Sequence, residues 1–245
     1  TPPSPVGEGI RTASGTTHSW RIPLVVAAGA LVSGILVWRL APEAEGHGTD
    51  AAIAAAHHNP TGIRSRVAVV KLVSAALTIG SGGSGGREGP TAQISAAFGS
   101  LLARKLRLSP ADARTAVTVG MGAGIGAIFR APLGGALLGA EILYREDAET
   151  EALLPAMIAS IVSFAVFGAI EGYDPIFGTL RDYQFQHAFD LVYFAALGIA
   201  CGLAGRLYAR TFYAFSGWFA RLAGPRLLMP AIGGLLTGLI GIAIP

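Results

Sequence analysis

Cysteine occurs once in these 245 residues, at Cys201, so no internal disulfide can form and a disulfide-stapled module is excluded. The lone thiol is expected to pack as a small apolar side chain. Charge is scarce as well: 18 Lys plus Arg and 15 Asp plus Glu make 13% of the chain, where a soluble domain has roughly 25%. That scarcity argues against an ordinary water-soluble globule. An apolar content of 52% excludes a highly charged disordered chain. Glycine, by contrast, is abundant: 34 of 245 residues, about twice its usual share.

The apolar residues come in long runs. A membrane helix needs roughly 20 mostly apolar residues to cross about 30 Å of hydrocarbon. Residues 22–40 qualify with one charge, Arg39, at the end; 152–170 carry none, 191–207 only Arg206, and 227–244 none. Between them lie apolar stretches broken by glycine, at 67–79, 92–103, 116–129 and 131–140. These are expected to be too short to span. Partial helices that end inside the membrane are typical of transport proteins, where the freed backbone groups line a solute path.

Loop charge sets an expected orientation. Arg64, Arg66 and Lys71, then Arg104, Lys105, Arg107 and Arg114, then Arg206, Arg210, Arg221 and Arg226 mark cytoplasmic segments by the positive-inside rule. Residues 171–190 hold Glu171, Asp174, Asp182 and Asp190 against Arg181 alone, and are expected to face outward. Because the basic residues are spread over separate loops, they read as topology and not as a nucleic-acid surface. The first 20 residues, rich in Thr, Ser, Pro and Gly, read as a polar loop without the apolar core of a signal peptide. With no Met before Thr1 and an apolar run ending at Pro245, the sequence is expected to be a piece of a longer chain, truncated at both ends.

Glycine spacing points to packed helices. Gly120/Gly124, Gly122/Gly126, Gly135/Gly139, Gly198/Gly202 and Gly234/Gly238 are each four apart, which puts each pair on one helix face and lets another backbone approach.

The densest chemistry lies in residues 80–90, GSGGSGGREGP, ahead of an apolar helix. Glycines allow tight turns and bare backbone N–H groups. Pro90 suits the first turn of a helix, where its missing N–H costs nothing. Free N–H groups and the positive end of the helix dipole together make an anion site. Glu88 stands at that same end. Its carboxylate can occupy the site in place of a solute anion, and protonation would release it. The alternative is that Glu88 only caps the helix, a common role for acids there. Gly80, Gly82 and Gly85 formally match a dinucleotide fingerprint, but an apolar helix precedes them and no acid follows about 20 residues later. A Walker loop is excluded by the lack of Gly-Lys-Ser/Thr. His57 and His58 are adjacent and point about 100° apart on a helix, so a zinc site is not expected.

Residues 86–93, GREGPTAQ, and 120–141, GMGAGIGAIFRAPLGGALLGAE, closely resemble the two signature segments of the CLC chloride channels and proton/chloride antiporters. The resemblance covers residues 22–245. It implies an all-α integral membrane fold, an inverted-repeat helical bundle with broken and partially spanning helices, incomplete here. Residues 1–20 would be an extracellular loop and 21–245 a partial transmembrane domain.

Carried over position by position, the resemblance makes Glu88 the gating glutamate, which competes with the anion and carries the proton in antiporters. It makes residues 46–50, GHGTD, the counterpart of a Gly-Ser-Gly-x-Pro loop whose serine coordinates the central chloride. His47 replaces that serine. A neutral imidazole can donate one N–H and a protonated one can bind with charge assistance. Alternatively His47 points away and leaves the amides of Gly48 and Thr49 as ligands. Gly46, His47, Gly48 and Thr49, with Arg87 and Gly89, are thus the expected anion-binding positions. Ile142 stands where proton-coupled members have a second glutamate, and an isoleucine cannot carry a proton. That favours passive conduction, or a proton route through another group such as Glu141, Glu146 or Asp147; a structural acid is the preferred reading of Glu141.

The resemblance further implies a homodimer with one pore per subunit, chloride or similar anions with or without protons as solutes, the lipid bilayer as surroundings, a multi-pass location in the cell membrane, and neither enzymatic activity nor a cofactor. Half of the anion path is expected to lie outside these 245 residues. The rival readings are a non-transporting helical scaffold and, more distantly, a soluble nucleotide-binding enzyme.

Overall fold

The computed structural model describes residues 20–141, 150–174, 189–221 and 227–243, together with 176, 187 and 225. Among the described residues the chain is helical, with no strand. The helices are α1 (Arg21–Leu40), α2 (Thr49–His58), α3 (Ser65–Gly80), α4 (Glu88–Leu106), α5 (Pro110–Ile128), α6 (Pro132–Glu141), α7 (Thr150–Glu171), α8 (Asp190–Arg221) and α9 (Met229–Ala243), with a 3₁₀ turn over Pro42–Ala44. Three segments are long and apolar enough to cross a membrane: Arg21–Leu40, Glu151–Glu171 and Asp190–Phe219.

The stretches at 92–103 and 116–129 extend into α4 and α5, 19 residues each, or about 28 Å of helix, but neither is among the three helices apolar enough to cross a membrane. Polar flanks supply the extra turns. Ser109 caps α5 by accepting the Asp112 N–H at 3.2 Å, and Pro110 occupies its first position. Arg107, at φ 52°, ends α4 in the left-handed conformation. Of the apolar run 227–244, the described residues form the 15-residue α9, about 22 Å long and shorter than the three candidate spans. Among the described residues, α3 has 16 residues and α6 has 10, in line with the short stretches at 67–79 and 131–140, and α2 has 10.

Glycine decides how close the helices come. A Cβ at Gly120 would lie 2.6 Å from the Ser95 carbonyl oxygen on α4, and one at Gly122 would lie 2.7 Å from the Gly135 carbonyl oxygen on α6. Gly234 faces the Val26 carbonyl on α1 at 2.8 Å by the same measure. Four of the five glycine pairs thus sit at helix crossings, joining α4 to α5, α5 to α6 and α1 to α9. Gly198/Gly202 do not: nothing lies within 4 Å of either among the described residues. They stand on α8, which is exposed over residues 191–218. Cys201 shares that exposure, so it does not pack as a core residue here.

The core is small-sided. Ala41, Ala44, Ala52, Ala56, Ala92 and Ala96 are buried with Val67, Val117 and Met121 where α2 to α5 converge. Alanine at these places lets the short α2 lie against α4 and α5, which fixes the loop ahead of α2 beside the start of α4.

Candidate functional site

Two loops meet at the edge of this packing, with Gly48 buried and Gly46, His47, Arg87 and Glu88 exposed. The first leaves α1, makes the 3₁₀ turn and enters α2 through Gly46, His47 and Gly48. Gly46 and Gly48 have φ of 76° and 104°, a left-handed region that L side chains rarely adopt. The second loop ends α3 and enters α4 at Glu88.

Contact between them is backbone to backbone. A Cβ on Gly89 would strike the His47 carbonyl oxygen, and one on Gly48 would lie 2.9 Å from the Gly89 carbonyl oxygen. The two glycine-rich motifs, 41 residues apart in sequence, therefore bring two helix N-termini together. Ala52 N–H makes the first bond of α2, to Gly48, so the N–H groups of Thr49, Asp50 and Ala51 have no intrahelical acceptor. Thr91 N–H makes the first bond of α4, to Arg87, which leaves Glu88 and Gly89, since Pro90 has no N–H. Each helix start carries roughly half a positive charge. Placed together they repel, unless an anion lies near both.

Glu88 is exposed at the first position of α4. Its Oε2 folds back into the space that a Cβ on Gly86 would need. Among the described residues no hydrogen bond or ion pair engages its carboxylate, and α4 has no side-chain cap. Arg87 is exposed and serves as N-cap through its backbone, its carbonyl accepting from the Thr91 amide at 3.0 Å and hydroxyl at 2.7 Å. His47 turns Nε2 to Asp50 Oδ2 at 3.2 Å, its side chain 51% exposed and that of Asp50 79%.

Two buried side chains fasten the first loop, and sequence reasoning missed both roles. Lys71, only 4% exposed, donates from Nζ to the carbonyls of Ala44 at 2.9 Å and Gly46 at 2.5 Å. It is a marker of topology in the sequence reading; the structure buries it. The available signal was a lone cation inside an apolar stretch, which is a functional candidate by default. Gln93, 2% exposed, donates from Nε2 to the Glu43 carbonyl at 2.8 Å and carries its Oε1 toward Gly48 without a hydrogen-bond partner. Glu43 itself pairs with Arg64. Burial raises the Glu43 carboxyl, but the hydrogen bonds from Arg64 and the backbone, with the Arg64 charge, hold it below its ordinary value.

Glu141 is the last described residue of α6 and is exposed. Ile142, Glu146 and Asp147 lie outside the described residues, as does the polar segment over residues 1–19.

Residues 29–245 match the family model described as voltage gated chloride channel. The chain belongs to the CLC family of voltage-gated chloride channels. It is similar to an uncharacterised protein of Methanocaldococcus jannaschii, 33% identical over 205 residues, which cover 83% of this chain and 50% of that protein. It is similar too to the H(+)/Cl(-) exchange transporter ClcA of Citrobacter koseri, 30% identical over 250 residues, 98% of this chain and 52% of that one. Among solved structures it resembles a slow cyanobacterial Cl-/H+ antiporter, with a TM-score of 0.78 and 28% identity over 93% of this chain and 53% of that chain. The CLC chain therefore has the all-helical membrane fold of its family, and it spans about half the length of the curated relatives it matches.

Proposed function

We propose that the full-length protein moves chloride or a similar small anion across a membrane, along a path that passes between the starts of α2 and α4. The observation that carries this reading is the meeting of the two helix N-termini at Gly48 and Gly89, with the Glu88 carboxylate beside them and unpaired among the described residues. An anion there would be held by the amides of Thr49 and Asp50 on one side and Glu88 and Gly89 on the other. Gly46 and His47 complete the loop, and Arg87 adds positive charge at the start of α4. The ionised Glu88 side chain competes with the solute for the same amides. A proton on Glu88 removes that competition and opens the path.

Ile142 supports passive conduction over proton exchange, since no acid stands at that position. The protein would work as a dimer of multi-pass subunits in the cell membrane. Reconstitution of the full-length protein in vesicles tests both points. Glu88→Gln, which imitates the protonated gate, should change chloride flux by at least severalfold; flux equal to that of the unaltered protein removes the gating role. A chloride gradient that drives no uphill proton movement marks conduction, and sustained proton pumping marks exchange.

A further inference from the structure

Glycine at position 86 is required neither by the backbone nor by a neighbouring helix. Among the described residues the glycines of positive φ are Gly46, Gly48, Gly82 and Gly172, so the φ of Gly86 is one that L side chains accept. Gly86 is exposed, in the irregular stretch between α3 and α4. Its neighbours in the two motifs are different. A Cβ on Gly48, Gly83 or Gly89 would run into a main-chain carbonyl oxygen, of Gly89, Thr78 and His47 respectively.

What a Cβ on Gly86 would meet is Glu88. The three nearest atoms all belong to its carboxyl group: Oε2 would overlap the Cβ outright, Cδ would lie at 3.2 Å and Oε1 at 3.8 Å. The carboxylate thus rests against the bare Cα of Gly86, two residues back along the loop, while Gly89 meets His47 on the side of α2. In this position, among the described residues, no amide donates to it. It is the withdrawn position of the gate, which leaves the amides of the two helix starts to a solute anion. A methyl group on residue 86 would close that position. The atoms in its way are the free end of a flexible side chain, so the fold need not move. Glu88 would turn instead to its other staggered rotamers, among them those that carry the carboxylate to the amides.

We propose that Gly86 is a positioning residue for the Glu88 gate: its missing side chain provides the place into which the ionised carboxylate withdraws. That place sets the fraction of time for which an anion can occupy the helix starts. The inference rests on the anion path and the gating role proposed above and adds the residue that controls the resting position of the gate. With Glu88 kept off Gly86 the carboxylate spends more time on the amides, and the apparent affinity for the anion falls with the fraction of open sites.

The test asks whether a methyl at position 86 acts through Glu88. In the full-length protein at neutral pH, chloride binding is measured by calorimetry, and chloride flux in vesicles, for Gly86→Ala, Glu88→Ala, the double variant and the unaltered protein. Gly86→Ala should lower chloride affinity about tenfold, as for a gate whose withdrawn fraction drops to roughly one tenth. In the Glu88→Ala background there is no carboxylate to displace, and the same methyl should change affinity by less than about twofold, a strong departure from additivity. Gly85→Ala controls for stiffening of the loop. A Cβ there would meet only Ile79 Cγ1, at an ordinary contact distance of 3.8 Å, so affinity should equal that of the unaltered protein. An equal loss with and without Glu88, no loss with Glu88 present, or the same loss from Gly85→Ala overturns the role of Gly86 while leaving the gate standing. Glu88→Ala with both affinity and flux equal to those of the unaltered protein overturns the gate itself, and the role of Gly86 with it.

Discussion

At the scale of single residues, the loop before α2 is held by polar side chains whose partners are mostly main-chain carbonyls. Lys71 draws the carbonyls of Ala44 and Gly46 toward α3, and Gln93 takes that of Glu43. Carbonyls turned inward leave amides to face the other way, which is the polarity an anion requires. The Glu43–Arg64 pair braces the same turn, and its contribution depends on pH with a definite sign. Glu43 titrates below its ordinary value of 4.5 when folded, so the pair stabilises the fold above that value. The contribution fades as pH falls through the depressed folded value. Both side chains are more than a third exposed, so the effect is about 1 kcal/mol at most. Thermal melts of the full-length protein and Glu43→Gln should differ by a few degrees near neutrality and converge as pH falls through the depressed folded value. A difference that survives at the lowest pH would show that Glu43 acts by some means other than its charge.

At the scale of elements, glycine does two separate things in this chain. In the loops it permits φ near 76° and 104° at Gly46 and Gly48. Within helices it permits backbone contact, and there its low helix propensity of roughly 1 kcal/mol is outweighed by packing. The crossing of α5 with α6 shows this most sharply, since Gly122, Gly135 and Gly139 face one another across it. Gly122→Val should therefore force the two helices apart and cost about 1–3 kcal/mol or more, read as a lower melting temperature in detergent. An unchanged melting temperature would mean that α6 shifts freely on α5. Spacing alone identifies such pairs but not their use: Gly198/Gly202 has the same four-residue interval as Gly122/Gly126, yet α8 presents it to nothing among the described residues.

At the scale of the whole molecule, the large apolar side chains of α1, α7 and α8 lie outside, among them Trp38, Ile161, Val166, Leu203 and Phe215. Water would not tolerate such a surface, whereas lipid or further protein would. Cys201 gives a direct reading of which environment it meets. It lies well inside α8, in a segment apolar enough to cross a membrane. In the full-length protein in vesicles, a charged maleimide should leave Cys201 unmodified, while detergent plus denaturant should expose it fully. Rapid labelling in intact vesicles would place α8 in water and contradict the spanning assignment.

The sequence by itself determined the membrane class, the order of helices, the two glycine-rich motifs and the carboxylate at Glu88. Those follow from local quantities: run length, charge density, and the turn and capping preferences of Gly, Pro and Glu. It did not determine that Lys71 is buried rather than a topology marker, or that Gln93 reaches the loop, because both depend on which helices lie alongside α2. Nor did it decide between the two orientations of His47; the start of α2, which sets Asp50 three residues on, turned the imidazole toward that carboxylate. Tertiary structure also brought Gly48 onto Gly89 across 41 residues, and that contact is what turns two separate helix starts into one site. Such proximity arises from the packing of alanine and glycine faces between α2, α4 and α5, a property of pairs of helices that no single stretch of sequence contains.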